Sequence, residues 1–140
     1  MADRIDSATR SAIMRRIGRS ATQPELVVRE LVKRAGYKGY RFNLPSVLGK
    51  PDICWKGRKI AIFVHGCFWH GHDCRHGKRM PSSNKEYWKK KLARNVERDK
   101  QSQRVLLRQG WHLLVIWECH LPHEKKVGRK IKLFMARHYA

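Results

Sequence analysis

The ten residues His65-Gly66-Cys67-Phe68-Trp69-His70-Gly71-His72-Asp73-Cys74 constrain this chain more than any other stretch. They show neither helical nor strand periodicity. Two readings fit them: an ion-binding loop, or a glycine-rich turn with exposed histidines. Zinc takes four soft or borderline ligands in a tetrahedron. Cys67, His72 and Cys74 lie close together, and Gly66 and Gly71 let the backbone bend around an ion. Cys119 stands just past an apolar segment and can close the shell. Four protein ligands leave no open position, so such a zinc is structural rather than catalytic. The spacing is not that of a common zinc finger. Cys54 falls inside a strand pattern and reads as a small core residue. His76, His120 and His123 read as surface histidines of a basic protein.

That basic character is extreme. Lys and Arg number 32 against 11 Asp and Glu, a formal charge of +21 over 140 residues. Solubility does not require so much charge of one sign. A polyanionic partner does, and nucleic acid is the foremost one, with binding that weakens steeply as salt rises. Charge alone fits a ribosomal or nucleoid-packing protein as well as an enzyme. The length suits a single domain, 1–140. No run of about 18 apolar residues occurs, so no membrane-spanning helix is expected. Residues Met1 to Arg10 lack the apolar core of a signal peptide. A cytoplasmic location follows as an expectation, with the cysteines unpaired.

The pattern along the chain reads helix, strands, helix, strand, helix. Ala8 to Gly18 form an arginine-rich helix with Ile13, Met14 and Ile17 on its apolar face. Thr22-Gln23-Pro24-Glu25 reads as a capping box. It opens a helix with Leu26, Val27, Leu31 and Val32 at helical spacing, ended by Gly36. Tyr40 to Phe42 is a short strand. Asp52 to Trp55 and Lys59 to Val64 read as a hairpin turning at Gly57. Asn84 is expected to cap a long helix to about Gln109, with Tyr87, Trp88, Leu92, Val96, Leu106 and Leu107 as a partial stripe. Trp111 to Trp117 reads as a strand buried on both faces. Glu124 to Arg137 closes the chain as a helix with Val127, Ile131 and Phe134 on one side. Strands flanked by helices predict an α/β sandwich.

Two features suggest chemistry. Asp52 follows Pro51 at a strand start, where a carboxylate can hold magnesium against a phosphate. A Pro-Asp pair is also an ordinary turn. The neighbouring strand runs into His65, which can face Asp52, and His70 lies just beyond. A histidine near its normal pKa can take a proton from attacking water. Glu25 is a further candidate beside its capping role. Phe68 and Trp69 either straddle a core boundary or, on a braced loop, wedge between base pairs where pairing is weak.

The strings Gly49-Lys50-Pro51-Asp52, Phe63 through His70, Asn95-Val96-Glu97-Arg98-Asp99 and Gly110-Trp111 through Cys119 resemble the very-short-patch-repair (Vsr) mismatch endonucleases, as do Thr9-Arg10-Ser11 and Met14-Arg15. The likeness spans about residues 8 to 120. It implies a PD-(D/E)xK restriction-endonuclease-like fold, a mixed sheet flanked by helices with a structural zinc site. It implies a magnesium-dependent enzyme that nicks DNA 5′ to the thymine of a T·G mismatch left by deamination of 5-methylcytosine. By resemblance, Asp52 binds catalytic Mg2+ with the backbone carbonyl of Val64, and His70 activates water with help from His65 and Glu25. Cys67, His72, Cys74 and Cys119 bind Zn2+. Phe68, Trp69 and His70 enter the major groove beside the mismatch. Met14, on an N-terminal arm over residues 1–20, presses from the minor-groove side. A monomer acting at the bacterial nucleoid is implied, and mismatch-repair helper proteins are allowed as partners.

The departures are informative. The wider fold carries an acid and a lysine on the strand where Phe63 and His65 stand here, a replacement typical of this narrower group. Val64 stands where a threonine can occur, which costs nothing if only its carbonyl is used. Beyond Cys119 the match is poor, and no function is implied there. Two rivals remain. A zinc-stabilised, sequence-nonspecific DNA-binding protein without catalysis explains charge, cluster and aromatics, but not a carboxylate gathered with histidines. A His-metal finger nuclease does not require the proline-aspartate strand.

Overall fold

The computed structural model describes residues 23–74 and 81–139. The expected arm, with Met14, lies outside these residues, as do Thr22 of the capping box and His76. The elements are α1 (Gln23–Ala35), β1 (Arg41–Phe42), β2 (Ile53–Trp55), β3 (Ile60–His65), α2 (Lys85–Arg108), β4 (His112–Trp117) and α3 (Glu124–His138). The strands form one sheet in the order β1-β2-β3-β4. β1, β2 and β3 pair antiparallel, and β4 joins β3 in parallel, from Ile60 beside His112 to His65 beside Trp117. The sheet is therefore mixed, and α2 supplies the long connection that a parallel pair needs.

Strand alternation divides the core into two layers. Ile53, Trp55, Ile60, Ile62, Val64, Leu114 and Ile116 face α1 and α3, meeting Val28, Leu31, Val32, Val127, Ile131 and Met135. Cys54, Ala61 and Phe63 face the other way, toward Leu106 of α2 and Trp111. β3 is central, and all six of its residues are buried. A strand covered on both sides must be apolar throughout, as Ile-Ala-Ile-Phe-Val is. The hairpin between β2 and β3 turns at Lys56–Arg58, where Lys59 takes the left-handed conformation (φ 55°).

Several expectations are corrected. Burial on both faces belongs to β3 and not to Trp111–Trp117. β4 is an edge strand among the described residues, with Leu114 and Ile116 buried and Leu113, Val115 and Trp117 half-buried. The side it shows to α2 opens into a cavity of about 500 Å3 between Val96, Lys100 and Gln103 of the helix and Val115 and Trp117 of the strand. Asn84 precedes α2 but makes no side-chain cap. Its left-handed backbone (φ 58°) is not the extended one from which a capping side chain reaches the next turn. The stripe on α1 is shifted, since Leu26 is largely exposed while Val28 is buried. Tyr87 and Leu107 of α2 are exposed as well. Met135, absent from the expected stripe of α3, is fully buried. Among the described residues no helix is long and apolar enough to cross a membrane.

This layering predicts where truncation hurts. Ile131→Ala, at a side chain with no exposure, should cost about 2–5 kcal/mol in urea unfolding. Leu133→Ala, 68% exposed two residues on, should stay within about 0.5 kcal/mol of the parent. Equal losses would show that the inward face of α3 is misassigned.

Candidate active site and metal centre

Asp52 stands at the start of β2 behind the buried Pro51, on the sheet face that Cys54 shares. The register of β2 against β3 brings the Val64 N–H to it, and that group donates to Asp52 Oδ2 at 2.5 Å. The Asp52 carbonyl accepts from the Asn43 N–H at 3.1 Å, which ties the preceding loop down. Burial, reinforced by the charge and hydrogen bond of Glu25, pushes the Asp52 carboxyl up to about 7 against the pull of the Val64 N–H. Glu25 comes from the first turn of α1 and pairs with Arg29 one turn later at 3.9 Å. The Arg29 guanidinium in turn lies 3.8 Å from the centroid of the Phe42 ring. Val64 sends its own side chain into the α1/α3 layer, so its backbone is what reaches Asp52.

His65 and His70 complete the same pocket. It holds about 210 Å3 and is lined by Glu25, Lys50, Asp52, Val64, His65, His70 and Asp99, among others. The rings of His65 and His70 stack at 3.8 Å, tilted by 5°. His65 is 5% exposed, and its Nδ1 has no hydrogen-bond partner among the described residues. Burial, then the neighbouring His70, hold its pKa down to about 4, against the pull of Asp99. It is therefore neutral at physiological pH. His70 lies differently: its Nδ1 is 2.5 Å from Asp99 Oδ2. Asp99 belongs to one of the resembling strings, where the sequence alone gives it no role. The available signal was its spacing from Asn95, which puts both on one face of α2. Asn95 Nδ2 donates to the Trp69 carbonyl at 3.1 Å, so two successive turns of α2 grip the loop.

The loop then enters a second cluster. Ligand atoms of Cys67, His72, Cys74 and Cys119 all lie within 4.8 Å of one another. Cys119 arrives on the short turn Glu118–His120 that follows β4, and its Sγ is 3.6 Å from His72 Nδ1. The His72 ring stacks on Trp117 at 4.1 Å. Burial and the neighbouring thiols push Cys67 up to about 12. Three sulfurs and an imidazole in so small a space suit a soft cation, which would hold the thiols ionised. Cys54 sits apart in the core, as expected. His65, His70 and Asp99 form a second triplet with ligand atoms within 4.8 Å of one another.

Phe68 and Trp69 face each other edge to face at 5.2 Å, and Trp88 of α2 joins both, at 5.6 and 5.8 Å. Phe68 is half-buried and Trp69 is 47% exposed, so Trp69 is not a core residue. The structure thus gathers Glu25, Asp52, Val64, His65 and His70 in one pocket. It gathers the four expected metal ligands in a second cluster and sets the two aromatics on the outer side of the loop between them.

Comparison with known proteins finds similar chains in one family. The family model described as DNA mismatch endonuclease Vsr matches residues 2–76. The type II nicking enzyme V.XorIIP of Xanthomonas oryzae pv. oryzae is 39% identical over 121 residues, covering 86% of this chain and 88% of the relative. The type II nicking enzyme V.NmeAIP of Neisseria meningitidis is 38% identical over 124 residues, covering 89% and 87%. The DNA mismatch endonuclease Vsr of Escherichia coli is 39% identical over 127 residues, covering 91% and 80%.

The loop geometry makes a test possible. Gly71 has φ +61°, and a Cβ there would meet Val96 Cγ2 at 2.7 Å. Gly71→Ala should cost about 1–3 kcal/mol in thermal or denaturant melts. At Gly66 a Cβ would meet its nearest neighbour, Trp69 Cδ1, at an ordinary 3.7 Å. Gly66→Ala should therefore cost much less, and equal costs would contradict the close approach of loop and α2.

Proposed function

Because the chain belongs to the Vsr family of DNA mismatch endonucleases, we propose that it nicks one strand of duplex DNA 5′ to the thymine of a T·G mismatch arising from 5-methylcytosine deamination, with magnesium. The fold in this reading is of the restriction-endonuclease type. The observation that carries the proposal is the shared pocket. A half-buried carboxyl, Asp52, stands there with a second acid and with a histidine held by a third. A protein that only gripped DNA would have no use for three carboxyls gathered with two histidines in one pocket.

Asp52 and the Val64 carbonyl would hold magnesium, with Glu25 beside them. Bound there, the ion supplies Lewis-acid polarisation of the phosphodiester and a more acidic water. The Val64 N–H occupies one Asp52 oxygen and orients the other. In the tautomer this reading requires, His70 donates its Nδ1 proton to Asp99, so Nε2 is the basic nitrogen. That nitrogen takes the proton of the attacking water, and Asp99 stabilises the imidazolium that forms. The stacked His65, uncharged at neutral pH, adds no repulsion to that cation.

Cys67, His72, Cys74 and Cys119 would hold zinc as a full shell of protein ligands, which excludes substrate and makes the ion a brace. That brace fixes both ends of the segment carrying Phe68, Trp69 and His70. An exposed Trp69 backed by Phe68 and Trp88 suits a wedge from the major groove. Unstacking a base step costs a few kcal/mol, and least where a mismatch already weakens pairing. The minor-groove role of Met14 is part of the same proposal. So are the monomeric state and the place at the bacterial nucleoid.

A nicking assay with magnesium on T·G and T·A duplexes tests this. The T·G strand should be cut and the T·A control spared. Asp52→Asn should abolish cutting, and Asp99→Asn should slow it by about 100-fold or more while duplex affinity changes only a few-fold. Retained cutting by Asp52→Asn, or equal cutting of both duplexes, would overturn the proposal.

A further inference from the structure

The segment after Cys119 takes no part in the pocket described above. It nevertheless continues from the functional end of the sheet. β3 ends at His65 and β4 at Trp117, and these two are partners in register. The turn Glu118–His120 follows directly, and α3 begins at Glu124. A chain of ring contacts links the two regions. Trp117 meets His70 at 6.4 Å and His72 at 4.1 Å, and His72 meets His120 at 5.8 Å.

Here the surface forms a cavity of about 290 Å3 lined by His120, His123, Lys126, Val127 and Lys130. Val127 is its buried floor. Lys126 and Lys130 are one turn apart on α3, so both ammonium groups serve the same face. No carboxylate lines the cavity. The acid of that turn, Glu124, lines a different groove, on the Leu31 and Arg34 side of α3. Among the described residues neither lysine forms an ion pair. Two cations and two imidazoles around one concavity, with no acid, leave a site that only an anion can neutralise.

We propose that His120, His123, Lys126 and Lys130 form a phosphate-binding subsite for the DNA backbone flanking the nick. The inference rests on the DNA-nicking reading and extends it. A strand leaving the catalytic pocket past the metal loop would meet this cavity a few nucleotides away. Its contacts are to phosphate alone, so it adds affinity and register without reading bases.

The test compares salt dependence of binding to a T·G duplex for the parent, for Lys126→Ala/Lys130→Ala, and for Lys38→Ala/Lys56→Ala. The last pair removes equal charge from residues around the cavity at the β2–β3 turn. Losing about two phosphate contacts should lower the slope of log K against log salt by about 1.8. Between about 50 and 200 mM salt the first variant should therefore lose roughly tenfold less affinity than the parent. The control pair should keep the parent slope. Shortening the duplex on one side of the nick should erase the difference between parent and first variant, and shortening the other side should not. An unchanged slope in the first variant, an equal drop in the control, or no dependence on either arm would overturn the subsite. A parent protein that binds but does not nick the T·G duplex would instead count against the function on which the inference rests.

Discussion

Burying one carboxyl beside another is the costly placement on which this structure turns. Asp52 is fixed by the strand register that delivers the Val64 N–H, and Glu25 is fixed by the first turn of α1. Water would solvate two separated carboxylates well, whereas a pocket between α1 and the sheet does not. The raised Asp52 value of about 7 records that cost. Its sign matters for stability. A carboxyl whose folded value lies above its ordinary 3.8 favours folding while protonated, and that contribution fades as the pH rises from about 4 to about 7. A divalent cation reverses the balance by pairing with the charged form.

The loop beside this pocket is held from three directions. Asn95 and Asp99 bind it from α2, Cys119 approaches from the end of β4, and the His65 ring on β3 stacks against His70. Elements far apart in sequence therefore set the position of one imidazole. A basic nitrogen needs a fixed tautomer and a fixed place, and the Asp99 contact supplies both in this reading. The same grips keep Trp69 on the outer surface, next to Trp88 and within 5.3 Å of the Lys91 ammonium.

Much of the site was legible in the sequence, for physical reasons. Cysteine, histidine and glycine crowded into an aperiodic segment point to a metal-binding loop, and the structure does bring Cys67, His72, Cys74 and Cys119 together. Asp52, His65 and His70 could be placed because strand ends and the following loop bound where such side chains point. Asp99 was not legible as a partner. A carboxylate on an exposed, highly charged helix looks like any other until the loop it holds is folded against it. The burial of β4 was misread for a related reason, since an apolar run does not say whether a strand is central or at an edge. The Asn84 cap failed because composition does not reveal a left-handed backbone. No function was legible beyond Cys119, and only the fold shows Lys126 and Lys130 sharing one cavity with His120 and His123.

Calorimetric titration of the DNA-free protein with magnesium, in buffers of different ionisation enthalpy, probes the Asp52 carboxyl most directly. A cation that takes the place of the proton on Asp52 should release close to one proton at about pH 6 and almost none above about pH 8. Asp52→Asn should lose both the binding and the release. Magnesium binding with no proton release at the lower pH, undiminished in Asp52→Asn, would contradict the assignment of this carboxyl as the cation site.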